Sequence, residues 1–324
     1  MVGLVSEDPA KRMMGGGLVL EENALHSRLM NTTRRNFLKT TAAAALALPA
    51  SLQAEERKGL VGSQLYGWGQ YYSREGKKLE DHLEDVLSAL RDAGYDYAEG
   101  NLGGPDSSAR FAEMSKARGL KPVSLYTGGA LHEAEKAEAN AMKLVENAHG
   151  AREAGFSIIV CNPNPIGRNK TDDELATQAK MLSLVGAELQ RLGMKFGVHN
   201  HTPEMANGAK EFHTNFDQSD PKTVGFCYDV HWVFRGGVLP PEALAQYGAR
   251  VVTWHLRQSR EKIWWEDLDT GDVDYGFVAE YAKAHSLPPY YTVELALEGG
   301  TKITRNAVQN HARSRAFVRG VFGV

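Results

Sequence analysis

The chain has 324 residues, 42% of them hydrophobic and 24% charged. This balance excludes a disordered or fibrous protein and suits one large globular domain or two small ones. A net charge of -3, with no basic run beyond the N-terminal segment, counts against a nucleic-acid partner.

In chain order, the first signal is one of targeting. Thr33-Arg34-Arg35-Asn36-Phe37-Leu38-Lys39 resembles a twin-arginine export signal. An alanine-rich, weakly apolar run follows, with small residues suited to cleavage near Ala50 or Ala54. That run is too short to span a membrane. Residues 1–29 read as an overlong start, with translation beginning at Met30. Residues 1–55 are therefore expected to be a cleavable signal region, and residues 56–324 the folded part. The implied location is periplasmic or secreted, with no membrane attachment after cleavage.

The rest of the chain alternates strand and helix patterns. Strands are expected at 61–66, 95–99, 121–126, 156–161, 195–198, 223–228, 250–254 and 290–294. Helices are expected at 78–93, 107–118, 131–154, 171–192, 241–247, 275–285 and 305–319, with a weakly marked one at 208–215. Leu79, Leu83, Val86, Leu87 and Leu90 recur at helical spacing. Thr171-Asp172-Asp173-Glu174 reads as a capping box, and Gly94, Gly119, Gly155 and Gly320 as helix stops. Cys161 and Cys227 fall late in apolar strand-like runs and read as two buried thiols rather than a disulfide. Eight strand–helix units of this length fit a single α/β (β/α)8 TIM barrel. The rival, a doubly wound open sheet, calls for a Gly-rich phosphate loop after the first strand, which Gly67-Trp68-Gly69-Gln70 does not supply.

Four strand ends carry the chemistry. His199, Asp229, His255 and Glu294 end the fifth to eighth strands, and in a TIM barrel the active site lies at those ends. Two imidazoles and two carboxylates suit one divalent metal among Mn²⁺, Fe²⁺, Co²⁺ and Zn²⁺ better than Ca²⁺. His201 shares the face of His199, and His231 that of Asp229, because strand residues two apart point the same way. Glu204 follows His201 by three residues and is read either as a proton-transfer group or as a helix cap. Asp272 and Asp274 precede a helix, which points to N-capping. Glu99, Tyr66 and Trp68 are expected at the other half of the mouth, and Arg257, Arg235 and Trp232 against substrate. Trp264 and Trp265, if exposed, suit carbohydrate.

Gly197-Val198-His199-Asn200-His201-Thr202-Pro203-Glu204, Tyr228-Asp229-Val230-His231-Trp232-Val233-Phe234-Arg235-Gly236-Gly237, Trp254-His255-Leu256, Gly271-Asp272-Val273-Asp274 and Val293-Glu294 together carry a resemblance. Over residues 59–324 the chain resembles the xylose isomerase-like TIM barrel superfamily. That group holds sugar phosphate isomerases/epimerases, ketose 3-epimerases, inosose dehydratases and endonuclease IV. The spacing around Asp229 is most similar to the inosose dehydratase branch. In epimerases of the family, Glu, Asp, His and Glu hold one divalent metal. Asp229, His255 and Glu294 match three of these, and His199 stands where epimerases carry the first glutamate, which there also transfers protons.

The resemblance implies a metal-dependent sugar isomerase or epimerase working by proton abstraction beside a carbonyl. Glu294, His201, His231 and Glu204 are the candidate catalytic groups, and Trp68, Glu99, Trp232 and Arg257 the candidate substrate contacts. A lyase or dehydratase acting on a keto-inositol or keto-glycoside, and a non-catalytic sugar-binding barrel, are the alternatives. An endonuclease would need three metals and more ligands than the sequence offers. The expected partner is a small carbohydrate, with homo-oligomer formation left open.

Overall fold

The computed structural model describes residues 59–324, so the predicted signal region lies outside the described residues. Strands β1 (Leu60–Gln64), β2 (Tyr97–Asn101), β3 (Ser124–Gly129), β4 (Ile158–Pro163), β5 (Lys195–Val198), β6 (Gly225–Asp229), β7 (Val251–Leu256) and β8 (Tyr290–Val293) close into one parallel barrel. Sequential strands are neighbours, and β8 pairs back onto β1 with Leu60 opposite Tyr290. These segments are rich in Val, Ile, Phe and Tyr and nearly all buried, as strands covered on both faces must be.

The helical layer is α1 (Leu65–Arg74), α2 (Leu83–Asp92), α3 (Pro105–Ala117), α4 (Ala137–Ala154), α5 (Asp172–Arg191), α6 (Thr202–Asp217), α7 (Val230–Arg235), α8 (Pro240–Tyr247), α9 (Tyr275–Ala284) and α10 (Ala307–Phe322). α2 turns Val86, Leu87 and Leu90 inward. α5 starts with the expected capping box, in which Glu174 N donates to Thr171 Oγ1 at 3.3 Å and Thr171 N donates to Glu174 Oε2 at 2.7 Å. Asp274 caps α9 by accepting from Phe277 N at 3.1 Å. Asp272 instead ties down a small hairpin, Ser259–Arg260 against Ile263–Trp264, through Ser259 Oγ and the Lys262 N–H.

The structure departs from the sequence-based expectations where short helices sit at the mouth. The first strand ends at Gln64, and α1 follows at once. α1 seats against the segment after β8, where a Cβ on Gly67 would lie 2.3 Å from Leu295 O. α6 starts at Thr202 rather than near residue 208. It is broken at Asn207, Gly208 and Ala209, whose φ values are 53°, 67° and 59°. α7 starts directly after Asp229. α4 starts at Ala137 because β3 runs on to Gly129. α10 runs through Gly320 and ends at Gly323, a left-handed cap with φ 74°.

The barrel interior is plugged by Tyr97, Val123, Ile158, Val160 and Cys227. The Tyr97 hydroxyl meets Thr292 Oγ1 at 2.7 Å. Both cysteines are buried and free. Among the described residues, no helix is long and apolar enough to cross a membrane.

Candidate metal and active site

Four successive strands deliver four donors to one point above this plug. His199 lies one residue past β5, and its N–H continues the ladder onto Cys161 O at 2.9 Å. Asp229 is the last residue of β6 and pairs with His255 across β7. Glu294 lies one past β8, its N–H bonded to Leu256 O at 3.0 Å. The ligand atoms of His199, Asp229, His255 and Glu294 all fall within 4.8 Å of one another. Asp229 is divided between two tasks. Its Oδ1 accepts from Trp232 N at 2.7 Å and starts α7, while Oδ2 is buried, without a hydrogen-bond partner, 4.0 Å from His199 Nε2. His199 Nε2 is unpartnered as well. Buried polar atoms left unmatched are costly. A shared cation would satisfy both at once.

The electrostatics are those of a crowded buried cluster. Burial pushes His199 well below its ordinary range, and His201 and His255 push the same way. Burial also opposes a charge on His255. The Cys227 thiol, the Glu99 carboxylate and the Glu294 hydrogen bond outweigh it and hold this imidazole above its ordinary range. His255 Nδ1 lies 2.9 Å from Glu294 Oε2, and Nε2 lies 2.9 Å from Glu99 Oε1. Burial raises Asp229 to about 6 against the pull of Arg257. Burial would raise Glu294 too, but the Arg257 guanidinium overcomes it and keeps the carboxyl well below the usual carboxylate range.

Arg257 is itself almost fully buried. It bonds the Glu294 carboxylate through Nη2 and Glu294 O through Nε at 3.2 Å. Its guanidinium lies over the Trp264 ring at 4.3 Å and near Trp232 at 5.4 Å, a cation–π arrangement. Tyr275 holds its backbone from both sides, accepting from Arg257 N at 2.8 Å and donating to Arg257 O. Nη1 of Arg257 and the indole N–H groups of Trp232 and Trp264 have no partner.

A cavity of about 1410 Å³ opens beside Glu294, with Glu99, Tyr126, His201, Trp232 and Arg257 also in its lining, and runs outward past Gln70, Lys77 and Arg110. Of the remaining sequence candidates, Tyr66 and Trp264 also line it. Trp264 is largely buried rather than exposed. Four others stand elsewhere. Trp68 is core: its Nε1 donates to Ser63 Oγ at 3.1 Å and its ring stacks on His311 at 4.2 Å. His231 is fully buried among Trp232, Phe234 and Trp264, and burial lowers it to about 3. Glu204 is buried and accepts from His201 N at 2.7 Å, so it caps α6. Arg235 pairs with Glu298 at 3.0 Å.

Residues not singled out from sequence also shape the site. Tyr126 packs edge-on to His199 at 5.5 Å. Ser124 donates to Glu99 Oε2. Cys227 Sγ lies 3.9 Å from His199 Nδ1. The period of two that linked His231 to Asp229 also places Cys227 on the face of Asp229, and that signal pointed to it.

The model of the xylose isomerase-like TIM barrel family matches residues 87–319. Many solved structures share the fold, three of them as follows. A sugar phosphate isomerase/epimerase from Parabacteroides distasonis is 22% identical, with 84% of this chain and 98% of that one covered at a TM-score of 0.62. The D-allulose 3-epimerase from Methylomonas, solved with D-allulose, is 15% identical, with 81% and 97% covered at 0.63. The 3-keto-D-glucoside 4-epimerase from E. coli is 16% identical, with 81% and 100% covered at 0.61. No curated protein matches the sequence.

Proposed function

The chain belongs to the xylose isomerase-like TIM barrel family, and on that premise we propose that it is a divalent-metal-dependent sugar isomerase or epimerase. The observation that carries this reading is the convergence of His199, Asp229, His255 and Glu294 within 4.8 Å at the C-terminal ends of four strands. The mixed nitrogen and oxygen set suits Mn²⁺, Fe²⁺, Co²⁺ or Zn²⁺. When bound, such an ion supplies a Lewis acid that lowers the cost of charge developing on a carbonyl oxygen.

The chain's own residues do the rest. His201 lies on the cavity wall, and burial lowers it to about 4. It is therefore neutral at working pH and able to take a proton from the carbon beside the carbonyl. The Glu294 carboxylate is taken up by His255 and Arg257 and serves as a ligand. Trp232 and Trp264 form an aromatic wall against the sugar, backed by the buried Arg257 guanidinium. Proton return at the neighbouring atom gives isomerisation, and return on the opposite face gives epimerisation. Return to a leaving alkoxide gives elimination. The Arg34-Arg35 signal supports action in the periplasm, testable by fusing residues 1–55 to a reporter.

The test combines metal analysis with exchange. Wild type should carry about one divalent ion, Asp229→Ala and His255→Ala almost none. Wild type in D2O should place deuterium beside the carbonyl of a keto-sugar or keto-glycoside. Equal metal in all three proteins, with no exchange across the panel, would remove the proposal.

A further inference from the structure

The two ligand imidazoles have a second face. His199 Nε2 looks toward Asp229, but its Nδ1 lies 3.9 Å from Cys227 Sγ. The donor atoms of His199, Cys227 and His255 fall within 4.8 Å of one another, all fully buried. His255 Nε2 is ion-paired with Glu99 Oε1 at 2.9 Å, which brings a carboxylate to the same imidazole. The strands explain the layering. Cys227 precedes Asp229 by two residues on β6, so its thiol lies one layer deeper on the same inward face. It sits where the apolar plug of Tyr97, Val123, Ile158 and Val160 meets the polar floor.

We propose that this floor is a second cation site, formed by His199, Cys227 and His255 with Glu99 alongside, which takes a thiophilic ion such as Cd²⁺, Zn²⁺ or Cu⁺. Soft thiolate with imidazole selects these ions over Mn²⁺. Binding breaks the Cys227 S–H bond and the N–H bond at the ligating nitrogen of His255, which is held above its ordinary range, forms metal–sulfur and metal–nitrogen bonds, and releases both protons to solvent. The site shares both imidazoles with the upper one. A thiophilic ion on the floor therefore withdraws ligands from the upper ion and displaces it, a consequence that rests on the function proposed above.

The probe is Cd²⁺ alone, titrated into the intact protein and followed by ultraviolet thiolate-to-metal charge transfer and by calorimetry. Wild type should develop the band at one equivalent. Cys227→Ser should lack it and bind Cd²⁺ at least tenfold more weakly. Cys161→Ser should keep the band. The chain has only two cysteines, so this variant assigns the thiolate even if Cys227→Ser does not fold. Asp229→Asn, which removes an upper ligand only, should also keep the band. Cd²⁺ added to Mn²⁺-loaded wild type should release Mn²⁺. No band in wild type at saturating Cd²⁺, or a band lost in Cys161→Ser, would overturn the floor site and leave the upper site standing. A band in a wild type whose uptake of Mn²⁺, Fe²⁺, Co²⁺ and Zn²⁺ does not depend on Asp229 would keep the floor site and remove the upper one.

Discussion

His201 and Glu204 stand three residues apart and were equal candidates for proton transfer on sequence alone. Their surroundings separate them. His201 faces the cavity as a neutral imidazole, while Glu204 spends its carboxylate on the His201 N–H at the start of α6. His201→Ala should slow proton exchange by about 10²–10⁴-fold and leave the bound metal unchanged by elemental analysis. Glu204→Ala should instead cost about 0.5–2 kcal/mol of stability, read as a lower Tm. An exchange loss in Glu204→Ala equal to that of His201→Ala, at unchanged Tm, would reverse the assignment. Asp229, His255 and Glu294 were legible because each ends a buried apolar run. The division of Asp229 between Trp232 N and the cation site was not, because it depends on α7, a single turn and a half with too few residues to show a helical period.

At the scale of elements, the strand–helix alternation survived translation into structure because long amphipathic segments such as α2 and α5 carry the period of their burial. What escaped was local. α1 begins Leu65-Tyr66-Gly67-Trp68-Gly69, and two glycines in five residues obscure a helix start. Gly67 is there for close approach to Leu295 O, which sequence does not display. Gly62 of β1 is the sharpest case. A Cβ there would lie 2.1–2.4 Å from the ring of Tyr97 on β2, which passes over Gly62 to anchor its hydroxyl on Thr292 of β8, the strand on the other side of β1. Small facing large is how a barrel interior fills. Gly62→Ala must displace that ring, at a cost of about 3 kcal/mol, or a Tm lower by roughly 6–12 °C. An unchanged Tm in thermal denaturation would mean that the ring has room the packing does not show.

At the scale of the whole molecule, the two ends of the barrel's helical layer meet on one buried histidine. His311 on α10 stacks on Trp68 of α1 at 4.2 Å, and its backbone carbonyl accepts from the Tyr95 hydroxyl ahead of β2 at 2.8 Å. The last helix, the first helix and the first strands therefore meet on it. Nδ1–H donates to Ala307 O at 2.8 Å, while Nε2 is buried without a partner. Burial lowers this imidazole from 6.5 to about 4, so the folded chain takes up the proton later than the unfolded chain does. The stability it contributes is complete above about 6.5 and drains as pH falls toward 4, by on the order of 3 kcal/mol across that window at 1.36 kcal/mol per unit. His311→Phe keeps a ring against Trp68 but has no proton to gain. Urea denaturation at pH 7, 6, 5 and 4 should show a shallower acid decline in the variant, by about one proton's slope, even where its stability at pH 7 is lower. The residual decline falls to the other imidazoles that burial lowers, His199, His201 and His231, and to Glu294, whose carboxylate Arg257 holds below its usual range. Parallel declines in the two proteins would show that His311 takes its proton without strain, and that the junction of α1 and α10 opens to water before the barrel unfolds.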